Sequence, residues 1–397
     1  MDAVRRGRIA TSLVFLLFGA ALGVWTARIP AVKEKLGLGD GRLSVALLAF
    51  AAGCIAGMAL IGRLTDRFGS SRVLVPAAVL EGVLLAGPGI SDGLVTLSVA
   101  LFAFGAVHGT LNIAMNASAA EVERAMGRPV MSSFHAVYSI GGFLGAIVGS
   151  LFAHAGVSVG STLISVGLAV LVLAAWASRW VLRSDPAPAA GAGAGDPEPG
   201  GRRTLLVFYG VVVLCTLVGE GAAADWSAVY LRDDLGTSEG FAAYGYAAFA
   251  IMMTAGRILG DRLAGRFGPV PLVRASGVIA AAGLGTGLLV DHPVAGVAGF
   301  GLLGIGLSCV APQFFSAAAG VDPRRAGQAL STVVSIGYVG FLLGPIAIGA
   351  AATVVGLATA LWIPVVLAAF VAASAGAITA SARPPRGRSL RRPAASA

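Results

Sequence analysis

The residues of this chain best placed to do chemistry are ionisable and polar side chains set inside long apolar runs. Glu220 stands in Leu217-Val218-Gly219-Glu220-Gly221, between glycines that thin the helix around it. A carboxyl group in such a setting can hold and release a proton, so Glu220 is a candidate for coupling proton movement to that of a solute. A protonated acid bonded to a neighbouring helix is the structural alternative. Asp225 follows one and a half turns later beside Trp226 and could serve a substrate or a proton at an outer mouth. His108, Asn112, Met115 and Asn116 recur at i, i+4, i+7 and i+8, which puts them on one helix face. His108, Asn112 and Asn116 can contact a substrate from there or bond one helix to another. His135 and Tyr138 could present an imidazole and a phenol to the same space. Trp25, Trp226, Gln313 and Tyr338 complete the candidate substrate-binding set. Glu81 reads as a structural partner, and Arg28 either as a cation steering anions or as a headgroup anchor.

These side chains must be positioned by membrane-spanning helices. Of the 397 residues 57% are hydrophobic and 12% charged, against roughly 25% charged in an ordinary globular chain, and mean hydropathy is +0.86. So few charges cannot cover a soluble core of this size, whereas a bilayer accepts an apolar exterior. Apolar runs bounded by charges, glycine and proline give twelve spans, at 9–28, 43–61, 73–91, 94–118, 131–153, 158–180, 205–230, 241–259, 272–290, 294–319, 327–350 and 354–380. The first is long enough to span and lacks a clear cleavage site, so it reads as a span rather than a signal peptide. The expected fold class is an all-α membrane protein.

The basic residues orient the spans. With the N-terminus inside, 23 of the 28 fall on the inner side, leaving Arg28, Lys33, Lys35, Arg42 and Arg232 outside. By the positive-inside rule both termini are cytoplasmic. The same asymmetry accounts for the net charge of +9 without a nucleic-acid partner, since the basic clusters lack aromatic interleaving. Cys54, Cys215 and Cys309 lie inside apolar runs and read as buried hydrophobes. Gly156-Val157-Ser158-Val159-Gly160 fits the hydrolase pattern G-x-S-x-G but sits in a short loop between helices, without the strand that such an elbow needs. Neither an H-E-x-x-H zinc site nor a phosphate-binding P-loop is present. No enzyme activity, metal or cofactor is expected.

Residues 184–204 are dominated at their start by proline, glycine and alanine and read as a flexible linker. They divide the chain into six-span halves at 1–183 and 205–382, followed by a basic tail at 383–397 that reads as disordered. The halves echo each other at an offset near 196. Ser139-Ile140-Gly141 recurs as Ser335-Ile336-Gly337, Arg128 falls on Arg324, and Trp25 has a counterpart in Trp226. Most telling are two loop segments, Gly62 to Arg72 after span two and Gly256 to Gly268 after span eight.

On those segments the chain resembles the major facilitator superfamily over nearly its whole length. Gly62, Leu64, Asp66, Arg67, Gly69 and Arg72 match the G-x-L-a-D-r-x-G-r-x-x hallmark, with Ser71 where a basic residue is common, and Asp261 and Arg262 belong to a looser second copy. The run Met131 to Gly142 is similar to fucose-permease-like bacterial members. The resemblance implies two pseudo-symmetric six-helix bundles with rocking alternating access around a midplane site. It also implies gating: Asp66 would face the start of span eleven near Arg324, and Asp261 the start of span five near Arg128, both closing the cytoplasmic side. A carboxylate there can accept bonds from exposed helix-terminal amides and pair with arginine. The proline-containing span-five signature of drug/proton antiporters is absent; a Gly-Pro pair appears instead at Gly344-Pro345 in span eleven. The expected function is secondary-active transport of a small organic solute in a bacterial inner membrane, by a monomer coupled to protons. Export stands slightly ahead of uptake of a sugar-like solute, with a non-transporting sensor or scaffold as the alternative of another class.

Overall fold

Inside a bilayer every peptide group must be satisfied within the protein, so apolar runs of this length fold as helices. The computed structural model describes residues 3–182 and 199–381, and no strand occurs among them. Twelve helices are long and apolar enough to cross a membrane: Ala3–Lys35, Gly41–Phe68, Ser70–Ile90, Leu94–Met126, Met131–His154, Val159–Ala177, Gly201–Asp234, Glu239–Phe267, Pro269–Val290, Pro293–Val321, Pro323–Val355 and Leu357–Ile378. They match the twelve runs of the sequence one to one and are called spans one to twelve below. Leu60, Val95, Ile251, Leu289 and Val354 are exposed on their outer surfaces, as a lipid-facing exterior requires.

Several helices run past the apolar limits. Span two continues to Phe68 and span eight to Phe267, so the segments read as loops from the sequence are helical. Each reverses at a single glycine, Gly69 (φ 88°) and Gly268 (φ 82°), and the next helix starts on the following residue. Positive φ is accessible to glycine at little cost, which lets one residue make the turn. Span seven begins as helix at Pro199, within the stretch assigned to the linker. The remainder of that linker and the tail at 383–397 lie outside the described residues.

The packing repeats with the sequence. Span one packs on five, two on four and three on six; likewise seven packs on eleven, eight on ten and nine on twelve. The halves meet through span two against eleven and span five against eight, again a symmetric pair. Small residues permit the closest approaches: a Cβ on Gly141 would run into the carbonyl oxygen of Leu16. Span ten breaks at Ser308-Cys309, ending one helix at Leu307 and starting the next at Val310. Pro312, with no N–H to offer the carbonyl four residues back, is the local cause.

Candidate functional site

The start of an α-helix leaves four N–H groups without partners inside the helix. At the arginine-rich face two such starts are completed by carboxylates from the opposite half. Asp66 accepts bonds from the amides of Gly327 (2.7 Å) and Gln328 (3.1 Å) at the beginning of span eleven. Asp261 accepts from Ser132 (2.8 Å) and Ser133 (2.9 Å) at the beginning of span five. Glu123 completes the same turn from within its own half by accepting from Val130 and Met131 at 2.8 and 2.9 Å. Glu123 was not singled out from sequence; its place eight residues before the helix start at Met131 is the signal that could have found it.

The expected arginine partners are corrected by this geometry. Arg128 and Arg324 are exposed and form no ion pair with either carboxylate among the described residues. The helix-terminal amides expected beside the arginines are the partners found, because they converge on a carboxylate that the packed helices already hold at the right distance. Arg67, Arg72 and Arg262 are also exposed, with Arg67 over the Phe68 ring at 5.4 Å. Gly62 lies directly on span eleven, where a Cβ would come within 2.7 Å of Ser331 Cβ. Gly260 does the same against span five, where a Cβ would stand 2.6 Å from Ser132 Oγ. The hallmark glycines therefore allow the contact that brings each carboxylate to its helix.

Above this closed face a cavity of about 600 Å³ runs through the middle of the spans toward the opposite face. Its far end is bordered by Thr26 and Ile29 of span one and Ser44 of span two. Its wall includes eight of the candidates: Trp25, His108, Asn112, His135, Tyr138, Glu220, Asp225 and Tyr338. Asn112 Nδ2 donates across the halves to the Tyr338 hydroxyl at 3.4 Å. The cavity is otherwise aromatic and aliphatic, with Phe18, Phe50, Phe315 and Phe341 on its surface.

Three candidates are placed elsewhere. Asn116 is fully buried behind the wall, where its amide donates to Asn112 and its oxygen lies 3.2 Å from His135 Nε2. Trp226 Nε1 donates to the Pro345 carbonyl at 3.2 Å, joining spans seven and eleven. Gln313 is buried just beyond the break in span ten and does not line the cavity. Helix-face spacing could not separate these from lining residues, because a polar stripe faces a neighbouring helix and a cavity equally well.

The structure adds a residue that sequence reasoning set aside. Arg257, inside the expected run 241–259 but counted there with the basic residues of the inner side, is buried on the cavity wall. Its Nη1 donates to Ser139 Oγ of span five at 2.7 Å, and its Nη2 lies 3.5 Å from Glu220 Oε1. It sits one helical turn before Asp261, so gate and cavity cation share a helix face. The Arg257–Asp261 spacing of four residues was a legible signal once span eight was allowed to continue.

Two further buried groups serve packing. Glu81 Oε1 lies 2.6 Å from His108 Nδ1, with both side chains essentially inaccessible and the Phe18 ring stacked on the imidazole at 3.8 Å. His108 therefore forms wall that Glu81 holds in place. Arg28 is buried rather than exposed as a headgroup anchor would be, does not line the cavity, and donates to the Val157 carbonyl at 2.7 Å. Ser158 of the hydrolase-like pattern caps span six, accepting from the Ser161 amide at 3.1 Å.

Comparison with known proteins places this architecture. The family profile described as Major Facilitator Superfamily matches residues 10–319 and 209–396. An uncharacterised transporter of Sinorhizobium fredii is 37% identical over 368 residues, covering 90% of this chain and 94% of that one. An uncharacterised MFS-type transporter of Yersinia pestis is 33% identical over 376 residues, covering 94% and 96%. Among solved structures, the transporter FucP in its outward conformation superposes with a TM-score of 0.74 at 16% identity, over 96% of this chain and all of that one, a likeness of fold.

Proposed function

Because this chain belongs to the major facilitator superfamily and so is a multi-pass secondary transporter of a small solute rather than an enzyme, we propose that Glu220 carries the proton that drives it. The observation that supports this most is the position of Glu220: a carboxylate on the cavity wall whose counter-ion, Arg257, reaches across the interface to Ser139 of the other half. Adding a proton to Glu220 removes one charge of that pair. The guanidinium must then find another partner or shift, and either response alters a bond that joins the two halves. Protonation is thereby linked to their relative movement.

In the same reading the two carboxylate caps are latches. They close the arginine-rich face, taken as cytoplasmic in a bacterial inner membrane with both termini on that side, and they must break for it to open. Asn112, Tyr138, Tyr338 and Trp25 contact the solute from the cavity wall. Direction follows from how proton and solute share the cavity. Competition for Glu220 gives antiport and export, the slightly favoured expectation from sequence, whereas joint occupancy gives symport and uptake.

The test is Glu220→Gln reconstituted in proteoliposomes, using a solute first selected by its thermal stabilisation of the purified protein. A pH gradient should no longer drive net transport while solute exchange persists. An unchanged dependence on the pH gradient would remove Glu220 from the coupling role.

A further inference from the structure

We infer that Arg257 is the recognition group for an anionic solute, and that the cavity takes a small organic monocarboxylate with an apolar or aromatic body. This rests on the reading of Glu220 as the proton carrier and deepens it.

A guanidinium carries five N–H donors in a planar fork. In Arg257, Nη1 is engaged by Ser139 Oγ, Nη2 lies 3.5 Å from Glu220 Oε1, and buried Nε has no hydrogen-bond partner. A well-formed bidentate pair with a carboxylate would bring two nitrogens to about 2.7–2.9 Å. Glu220 is thus a counter-ion held at a distance, and most of the fork is unoccupied although the residue is only 7% exposed. A buried cation with donors to spare favours a further acceptor on the cavity side. The surroundings define the rest of that acceptor: the walls are mainly aromatic rings and aliphatic side chains, which suit an apolar body and offer little to a polyhydroxylated one.

Charge balance then joins the solute to the proton. With Glu220 ionised, an incoming carboxylate faces a carboxylate already beside the guanidinium. With Glu220 protonated, Arg257 is left uncompensated, and the solute anion restores neutrality. The other titratable groups that face the pair are Tyr246 on span eight, His135 and Tyr138 on span five, Cys309 on span ten, Tyr338 on span eleven, and Asp225 further along span seven. The phenols and the thiol are uncharged at neutral pH, Asp225 is no cation in either of its forms, and the His135 ring is packed against Phe15 and Phe315 with Nε2 3.2 Å from Asn116 Oδ1, so none supplies a second cation for the solute. Solute anion and proton therefore occupy the cavity together and cross as a neutral pair, which is symport.

The experiment uses the full-length protein in lipid nanodiscs with benzoate, phenylacetate and hexanoate, each beside its matched amide and amine, read by melting temperature and equilibrium binding between pH 5.5 and 7.5. At least one carboxylate should bind while its amide and amine do not. Its affinity should fall about tenfold per pH unit where binding takes up one proton. Arg257→Gln should abolish carboxylate binding. Arg257→Lys, which keeps the charge and loses the fork, should weaken it about tenfold. Ser139→Ala, which leaves the fork intact, should retain it and so report that the interface still folds. Carboxylate binding that needs Arg257 but keeps its pH dependence in Glu220→Gln would support the anion site and overturn the proton reading. Binding of amines or amides in place of carboxylates, no binding by any of the nine probes, or carboxylate binding undiminished in Arg257→Gln would overturn the anion site itself.

Discussion

Replacing Asp66 by asparagine changes one oxygen of the carboxylate into an NH2 group facing a peptide N–H. Of the two bonds now made to Gly327 and Gln328 at 2.7 and 3.1 Å, one must be lost and its donor left facing another donor. A hydrogen bond to a charged group is worth about 1.5–3 kcal/mol, and the negative charge at a helix N-terminus adds about 0.3–1 kcal/mol. On the latch proposal this cap exists only while the arginine-rich face is closed, and its loss of about 2–4 kcal/mol then falls entirely on the closed state. At 1.4 kcal/mol per factor of ten, the open-to-closed ratio of that face should rise by about 30-fold to several hundred-fold. Spin labels at Ala125→Cys and Arg266→Cys, exposed positions at the ends of spans four and eight, report the separation of the two halves there. This requires a background in which the buried Cys54, Cys215 and Cys309 are replaced. The distance distribution should gain a long component in Asp66→Asn. Asp261→Asn should do the same, and the double variant should combine the two free-energy shifts. A distribution identical to that of the parent would refute the latch.

Three other substitutions probe the supporting framework. Gly260→Ala puts a Cβ 2.6 Å from Ser132 Oγ and 2.9 Å from Cys309 Sγ, so it should open the same face in the spin-label experiment, while Gly265→Ala, which meets nothing within 4 Å, should leave it unchanged. Glu81→Leu strips His108 of its buried hydrogen-bond partner and should cost about 1–3 kcal/mol of stability, with Glu81→Gln milder; thermal unfolding in detergent measures both, and parent-like melting of Glu81→Leu would deny the pair a structural role. Arg28→Ala removes the bond to the Val157 carbonyl, worth about 1.5–3 kcal/mol, so amide exchange in the loop at 155–158 should quicken by about 10- to 100-fold, and unchanged exchange would show that the loop holds itself.

Much of the fold was legible because bilayer thickness and backbone satisfaction leave an apolar run few choices. All twelve spans follow from that constraint, whereas the family resemblance rests on the motif formed by Asp66 and its neighbours. The helix ends were less legible. Span two was expected to stop at 61 and reaches Phe68, because polar residues continue a helix once it leaves the hydrocarbon and only Gly69 forces a turn. Span eight likewise was expected to stop at 259 and reaches Phe267, and Arg257, inside the expected run, was counted with the basic residues of the inner side rather than as a cation on the cavity wall.

What the sequence determined by itself was which residues lie in the membrane, how many times the chain crosses it, and that two halves repeat one plan. Those properties depend on composition and on spacing within single helices. Only the tertiary structure decided that Asp66 and Asp261 bind peptide amides rather than arginines, and that Asn116, Trp226 and Gln313 lie away from the cavity. It alone brought Arg257 to Glu220 and Ser139. Each of these is a contact between helices, set by rotation and depth where glycines let backbones meet, and no periodicity within one helix encodes the rotation of its neighbour.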